Sequence, residues 1–116
     1  MALTPYSTVP FTVDVEQQPP VLTLRLRGDL DFGCAWALGP AVSVPTRGVT
    51  QVRLDLAELD FCDVAGLRAL EELCARHTAA GREVSVVGAR PFLRKIAALA
   101  GLLPQCLEQH QHQHQD

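Results

Sequence analysis

Long apolar runs and a secretory leader are both missing from this sequence. No window of its 116 residues approaches the roughly 18 consecutive apolar residues that a transmembrane helix needs. Residues 1–10 contain neither a positively charged segment nor an apolar core, so they do not resemble a signal peptide. We therefore expect a soluble, cytoplasmic protein that does not insert into a membrane.

Basic residues are few and scattered. The chain has 10 Lys and Arg against 13 Asp and Glu, which gives a formal net charge of −3. A nucleic-acid-binding surface needs a basic patch or stripe. The one local basic group, Arg90, Arg94 and Lys95, is interpreted as a solvated helix face. We therefore expect no nucleic-acid partner.

The cysteines lack the spacing of a metal site. Cys34, Cys62, Cys74 and Cys106 lie far apart without a Cys-x-x-Cys pair. In a cytoplasmic protein we expect reduced, mostly buried thiols. The alternative is that Cys62 is a redox switch, because a helix N-terminus following it would favour the thiolate.

The histidines also give no strong metal signal. His110, His112 and His114 alternate with glutamine in a segment without apolar periodicity, so residues 105–116 are expected to be a disordered polar tail. A strip that binds nickel or zinc is the alternative interpretation. His77, near the predicted end of a helix, is interpreted as a surface residue that suits the C-terminal partial charge.

The first half of the chain predicts two strands and a short helix. Apolar residues alternate on both sides of Pro19-Pro20, which indicates an antiparallel strand pair. A helix beginning near Phe32 should follow, capped by Asp29 or Asp31. Gly39-Pro40 should break or kink that helix. Trp36 is expected to anchor it to the core, with a partner contact as the alternative.

The second half predicts a strand at 52–56, a loop through Phe61-Cys62, a helix at 64–80 capped by Asp63, a strand at 83–87, and a helix from Pro91 to Gly101. The buried stripe expected for the first of these helices is Leu67, Leu70, Leu73 and Cys74. The residues expected on its outside are Arg68, Glu71, Glu72, Ala75 and Arg76. The residues expected to face inward on the last helix are Phe92, Ile96 and Leu99.

Together these elements predict a single α/β domain at 11–104, preceded by an arm at 1–10. Its sheet should be mixed, with an antiparallel first hairpin followed by parallel strands, and with helices packed on it. At 116 residues and 47% apolar composition, the chain can bury one core without a metal or disulfides.

Four short segments occur in an informative order. They are Gly28-Asp29-Leu30-Asp31, Val52-Arg53-Leu54-Asp55-Leu56, Asp63-Val64-Ala65-Gly66-Leu67 and Ala80-Gly81-Arg82-Glu83-Val84. In this order they resemble the STAS domain, the fold shared by anti-sigma factor antagonists and the cytoplasmic tails of sulphate transporters. The resemblance runs from about Phe11 to about Leu103.

The resemblance implies a protein-binding module in bacterial partner switching. In such systems the antagonist binds a kinase-like anti-sigma factor and is released when a serine is phosphorylated. By motif that serine falls at Val64, and no Ser, Thr or Tyr occurs between Thr50 and Thr78. The usual chemical off-switch is therefore expected to be absent, which would give a constitutive antagonist or a decoy.

We expect the partner surface to include Asp31, Asp63, Val64, Ala65, Gly66, Arg68, Glu71, Glu72 and Arg76. Gly66 should let a partner backbone approach closely, because it has no side chain. Leu67 is expected to lie in the core. A homodimer is a further possibility.

Two alternatives to antagonism stay open at this stage. The chain also resembles the short STAS subunit of a lipid-transport ABC transporter, which implies a docking role. An enzyme would need the carboxylates of Asp29, Asp31, Asp55 and Asp63 to share a pocket. No His or Cys accompanies them at a fixed spacing, and no P-loop is present. We expect neither catalysis nor a cofactor, although Asp31 and Asp63 would border a nucleotide if one bound.

Overall fold

Four strands form one mixed sheet in the order β1-β2-β3-β4. In this computed structural model residues 11–31, 33 and 38–101 are described. The elements are β1 Thr12–Gln18, β2 Val21–Leu30, α1 Gly39–Val42, β3 Gln51–Cys62, α2 Val64–Ala79, β4 Glu83–Val87 and α3 Pro91–Ala100. The predicted arm at 1–10, the tail at 105–116, Cys34, Cys106 and the helix expected near Phe32 with Trp36 lie outside the described residues.

The strand pairing confirms the predicted fold class. β1 and β2 are antiparallel, and a two-residue turn of Pro19 and Pro20 joins them. β2 pairs with β3, and β3 with β4, in parallel. The carboxyl ends of β2 and β3 therefore lie side by side, as parallel pairing requires.

The two faces of the sheet differ sharply in chemistry. Leu22, Leu24 and Leu26 of β2 are fully buried, because alternate side chains point to one face. The residues between them on the other face include Arg25, whose Nη1 lies 2.8 Å from Glu16 Oε1, and Arg27, whose Nε lies 2.7 Å from a Glu58 carboxylate oxygen. The core thus forms on one face only, and the other face is charged.

Helix α2 packs its predicted stripe against the sheet, contacting β3 and β4. Leu67, Leu70, Leu73 and Cys74 are buried as expected. The prediction that His77 lies on the surface is wrong, since the side chain is 4% exposed. Its position, four residues after Leu73, continues the same stripe by helical periodicity. Its Nδ1 accepts a hydrogen bond from Arg82 Nε at 3.0 Å.

Burial lowers the pKa of His77 below its ordinary value, and the positive charge of Arg82 adds to the effect. The unfolded chain therefore takes up a proton at a higher pH than the folded protein does. We expect the free energy of unfolding to fall as the pH drops below about 6.5. His77→Gln removes this titration and should flatten the decline. Urea unfolding of both proteins at about pH 7.5 and about pH 5.5 checks this. Parallel pH dependences in the two proteins would contradict it.

The inward face of α3 was predicted in part. Phe92 and Ile96 are half-buried and pack against the core as expected, whereas the expectation for Leu99 is wrong, since it is 82% exposed. Leu93 and Ala97, which were not predicted, are the buried residues of this helix. The predicted limits hold, because Pro91 begins the helix and Gly101 ends it in a left-handed conformation with φ of 69°.

One further expectation about strands is corrected, and one about helices is not tested. Gly39-Pro40 begins α1, where proline is tolerated because a first-turn N–H has no intrahelical partner; the helix that it was expected to break or kink lies outside the described residues. The loop expected through Phe61-Cys62 is instead the end of β3. Within the described part of the chain, no helix is long and apolar enough to cross a membrane.

Candidate functional site

The site predicted from the sequence lies where β2 and β3 end and α2 begins. Leu30 of β2 is paired with Cys62 of β3, and the Asp63 N–H donates to the Leu30 carbonyl at 3.3 Å. Asp31 and Asp63 thus follow neighbouring strand ends. In α/β sheets this carboxyl edge is the usual place for binding sites.

Asp63 starts α2 by capping it. Its backbone is extended, with φ of −94° and ψ of −177°, and its Oδ1 accepts a hydrogen bond from the Gly66 N–H at 2.8 Å. One of the unpaired N–H groups of the first turn is satisfied in this way. The predicted helix start and cap are confirmed, so at least one role of this carboxylate is structural.

Replacing the cap gives a direct test of that role. Asp63→Ala should lower the free energy of unfolding by about 1 kcal/mol, because the Gly66 N–H loses its acceptor. Asp63→Asn keeps a side-chain oxygen at the same place and should remain close to the unmodified protein. Urea unfolding followed by circular dichroism measures both variants. If the free energy of unfolding fell equally in both variants, the charge of Asp63, rather than its capping hydrogen bond, would be what stabilises the helix.

Val64 is the first residue of α2, and its side chain is 44% exposed. Phe61, three residues earlier at the end of β3, is 47% exposed. Ala65 is half-buried, and Arg68 lies exposed one turn after Val64. We call Phe61, Val64, Ala65 and Arg68 the entry surface. Phe61 and Val64 are its exposed apolar side chains, and Arg68 is its charged one.

The remaining predicted residues of α2 extend this surface along the helix. Glu72 and Arg76 are exposed and follow Arg68 at intervals of four residues, so they share its face. Glu71 is half-buried. Asp31 is half-buried, and its Oδ1 accepts a hydrogen bond from the Gly33 N–H at 2.9 Å.

Gly66 does not lie where the backbone of a partner could approach it. It is buried, and a Cβ at this position would lie 2.5 Å from the Leu30 carbonyl oxygen and 2.9 Å from Cys62 Sγ. The close approach that glycine permits is therefore made by the protein's own β2 and β3. The expectation that a partner backbone approaches Gly66 is wrong, while the core position of Leu67 is confirmed.

Both cysteines in the described part of the chain are buried. Cys62 is 0% exposed and Cys74 is 5% exposed. The Cys62 thiol donates to the Asp63 carbonyl at a sulfur–oxygen distance of 3.5 Å. Reactive redox cysteines are partly accessible to solvent, so the burial of Cys62 contradicts the redox-switch alternative.

Asp60, Phe61 and Arg90 lie near the carboxyl end of β3, but they were not predicted from the sequence as site residues. β3 continues past the predicted strand, and its register against β2 shifts twice, once between Arg25 and Arg27 and once between Gly28 and Asp29. The signal was present in the spacing of the buried β3 residues: Leu54 and Leu56 are two residues apart, but Leu59 and Cys62 follow at intervals of three. Such a change of period is typical of β-bulges.

Carboxylates gather near these bulges. Burial raises the pKa of Asp29 above its ordinary value, and the neighbouring carboxylates of Asp60 and Asp31 raise it further. Among the residues that the structure describes, no group of three or more His, Cys, Asp or Glu side chains is placed to hold a metal ion.

A mixed sheet buried on one face, with helices packed on that face, defines a small α/β domain. A sequence profile of the STAS domain matches residues 12–113. The chain belongs to the STAS domain family.

Solved structures agree with this membership. An anti-sigma factor antagonist from Mycobacterium paratuberculosis has 25% identity over 79% of each chain, with a TM-score of 0.64. The Bacillus anti-sigma factor antagonist SpoIIAA, in its unphosphorylated form, has 20% identity over 82% of this chain and 84% of its own, also with a TM-score of 0.64. Mglu has 32% identity over 67% of this chain, with a TM-score of 0.60. The chain spans only 20% of the length of Mglu.

Proposed function

We propose that the protein is a non-enzymatic binding module of the anti-sigma factor antagonist kind. Its partner would be a kinase-like anti-sigma factor, bound through the entry surface and the exposed face of α2. The observation that carries this proposal is Val64, which is exposed at the first residue of α2, where the family resemblance puts the phosphorylated serine.

Valine at this position removes the usual means of release. A phosphoserine adds about −1.5 to −2 charges and would oppose a partner through repulsion and desolvation. Val64 has no hydroxyl, and residues 51–77 contain no Ser, Thr or Tyr. Binding would therefore be controlled by the amount of the protein rather than by its phosphorylation.

Three of the four carboxylates that an enzyme would need have structural partners. Asp63 caps α2, Asp31 accepts from the Gly33 N–H, and Asp55 Oδ1 accepts from the Ala57 N–H at 3.0 Å. Each bond is a local turn or cap of the kind that Asp commonly makes. These contacts support binding rather than acid–base chemistry.

The comparison with the mycobacterial antagonist supports the same proposal. The match covers 79% of each chain, so the two proteins correspond over most of their lengths. SpoIIAA, at 20% identity, supports the fold alone. The docking role in a transporter stays a prediction with no observation in its favour.

Affinity purification of the tagged 116-residue chain from its own cells tests the proposed function. We expect a kinase-like anti-sigma factor to be retained equally with and without ATP and magnesium, since Val64 accepts no phosphate. Arg53→Ala, exposed on the charged sheet face, should retain the same partner and serves as the control. Release by ATP, or recovery of a transporter ATPase and permease instead, would contradict the proposal.

A further inference from the structure

Strand β3 extends beyond its neighbour β4. The two strands pair only over residues 51–55 of β3, so in the described structure no strand lies beside residues 57–61 on that side. Against β2, the same stretch of β3 contains two extra residues, one between Asp55 and Glu58 and one between Leu59 and Phe61. Bulges of this kind bend a strand and redirect its side chains.

Arg90, immediately before α3, contacts β3 along the stretch where β4 no longer pairs with it. Its Nε and Nη2 both donate to the Ala57 carbonyl, at 3.2 and 2.9 Å, and its Nη1 lies 3.5 Å from Asp60 Oδ1. The Ala57 N–H is held by Asp55. Gly88, with φ of +74°, also packs on the first bulge, because a Cβ there would lie 2.9 Å from Ala57. One guanidinium therefore connects both bulges.

The second bulge determines where Phe61 points. Asp60 is the extra residue, and Phe61 follows it in register with Asp29. The next residue, Cys62, is fully buried. The exposed ring of Phe61 thus lies between Asp60, which Arg90 contacts, and a residue fixed in the core.

We propose that Arg90 is a positioning residue for the entry surface. By holding the Ala57 carbonyl and the Asp60 carboxylate, it fixes the direction in which Phe61 leaves β3. The effect of Arg90 on partner binding rests on the proposed function. The restraint that Arg90 places on Phe61 is a property of the isolated protein. A planar fork of donors suits this task, since one carbonyl and one carboxylate are bound at once.

Amide hydrogen exchange on the isolated 116-residue chain tests the restraint. Arg90→Ala should speed exchange of residues 58–61 about fivefold, because an unpaired bulge opens more readily. Amides in the middle of α2 should be unchanged. Arg53→Ala, on the same strand but outside the bulges, is the matched control and should alter neither region. Unchanged exchange of residues 58–61 in Arg90→Ala overturns the inference, whatever the partner proves to be.

Binding to the recovered anti-sigma factor tests the consequence through a double-mutant cycle. Arg90→Ala should weaken binding about fivefold in the otherwise unmodified protein and have almost no effect when Phe61→Ala is already present. That non-additivity would identify Arg90 as acting through Phe61. Additive losses would mean that Arg90 touches the partner itself, which overturns the positioning role. If Phe61→Ala and Val64→Asp both left binding intact, the proposed function would fail, while the exchange result would still stand.

Discussion

Gly66→Ala should lower the free energy of unfolding by about 3 kcal/mol, the upper range for forcing an extra group into a packed interior. The added Cβ would lie 2.5 Å from the Leu30 carbonyl oxygen and 3.0 Å from Leu30 Cγ. Backbone cannot move aside as a flexible side chain can, so α2 would have to shift away from β2. Urea unfolding followed by circular dichroism measures the loss.

Gly39→Ala supplies the matched control. Among the residues that the structure describes, nothing lies within 4 Å of a Cβ built at Gly39, and the residue begins α1. The same chemical change should therefore be neutral or slightly stabilising there, because alanine restricts the unfolded chain. If Gly66→Ala were as well tolerated as Gly39→Ala, the close packing of α2 on β2 would be refuted.

Val64→Asp should weaken binding of the anti-sigma factor about a hundredfold, since it replaces an apolar side chain of the entry surface with a carboxylate that loses its hydration in the complex. Stability should change little, because Val64 is exposed and an acidic residue in the first turn suits the helix dipole. Titration calorimetry with the purified partner measures the affinity, and thermal unfolding checks the fold.

Val64→Ser provides the counterpart of that experiment. Before phosphorylation it should bind within about threefold of the unmodified chain, because serine is small and uncharged. Incubation with the kinase-like partner and ATP should then add a phosphate and release the complex. Undiminished binding by Val64→Asp would show that the partner binds elsewhere, and the proposed surface would have to be abandoned.

Local features of the sequence were sufficient for much of the fold. The Asp63 cap, the Gly101 stop and the alternation on both sides of Pro19-Pro20 each depend on residues a few positions apart. Their physical causes are hydrogen bonds and backbone preferences within a single turn or hairpin. The elements built on them were predicted correctly.

The errors share a different cause, which is packing between distant segments. Whether the open side of Gly66 faces a partner or the core is decided by Leu30 of β2, which no helical pattern reveals. The face that α3 buries depends on how the helix lies against its neighbours, so Leu93 was overlooked in favour of Leu99. His77 is the exception, because its position four residues after Leu73 puts it on the buried stripe of α2 by helical periodicity alone.

The partner surface could be predicted only in part. The motif identified Val64 and its helix, but the contribution of Phe61 depends on two bulges whose register is set by pairing with β2. A homodimer stays a prediction.

The cap at Asp63 affects how the residue at position 64 can change during evolution. Because the acceptor for the Gly66 N–H is the Asp63 carboxylate and not the side chain at position 64, this cap does not depend on which side chain follows Asp63. Selection could exchange a hydroxyl for an aliphatic group at Val64, or reverse the exchange, without losing the cap. Residue 64 could then change how the protein is regulated, while Asp63 keeps the start of α2.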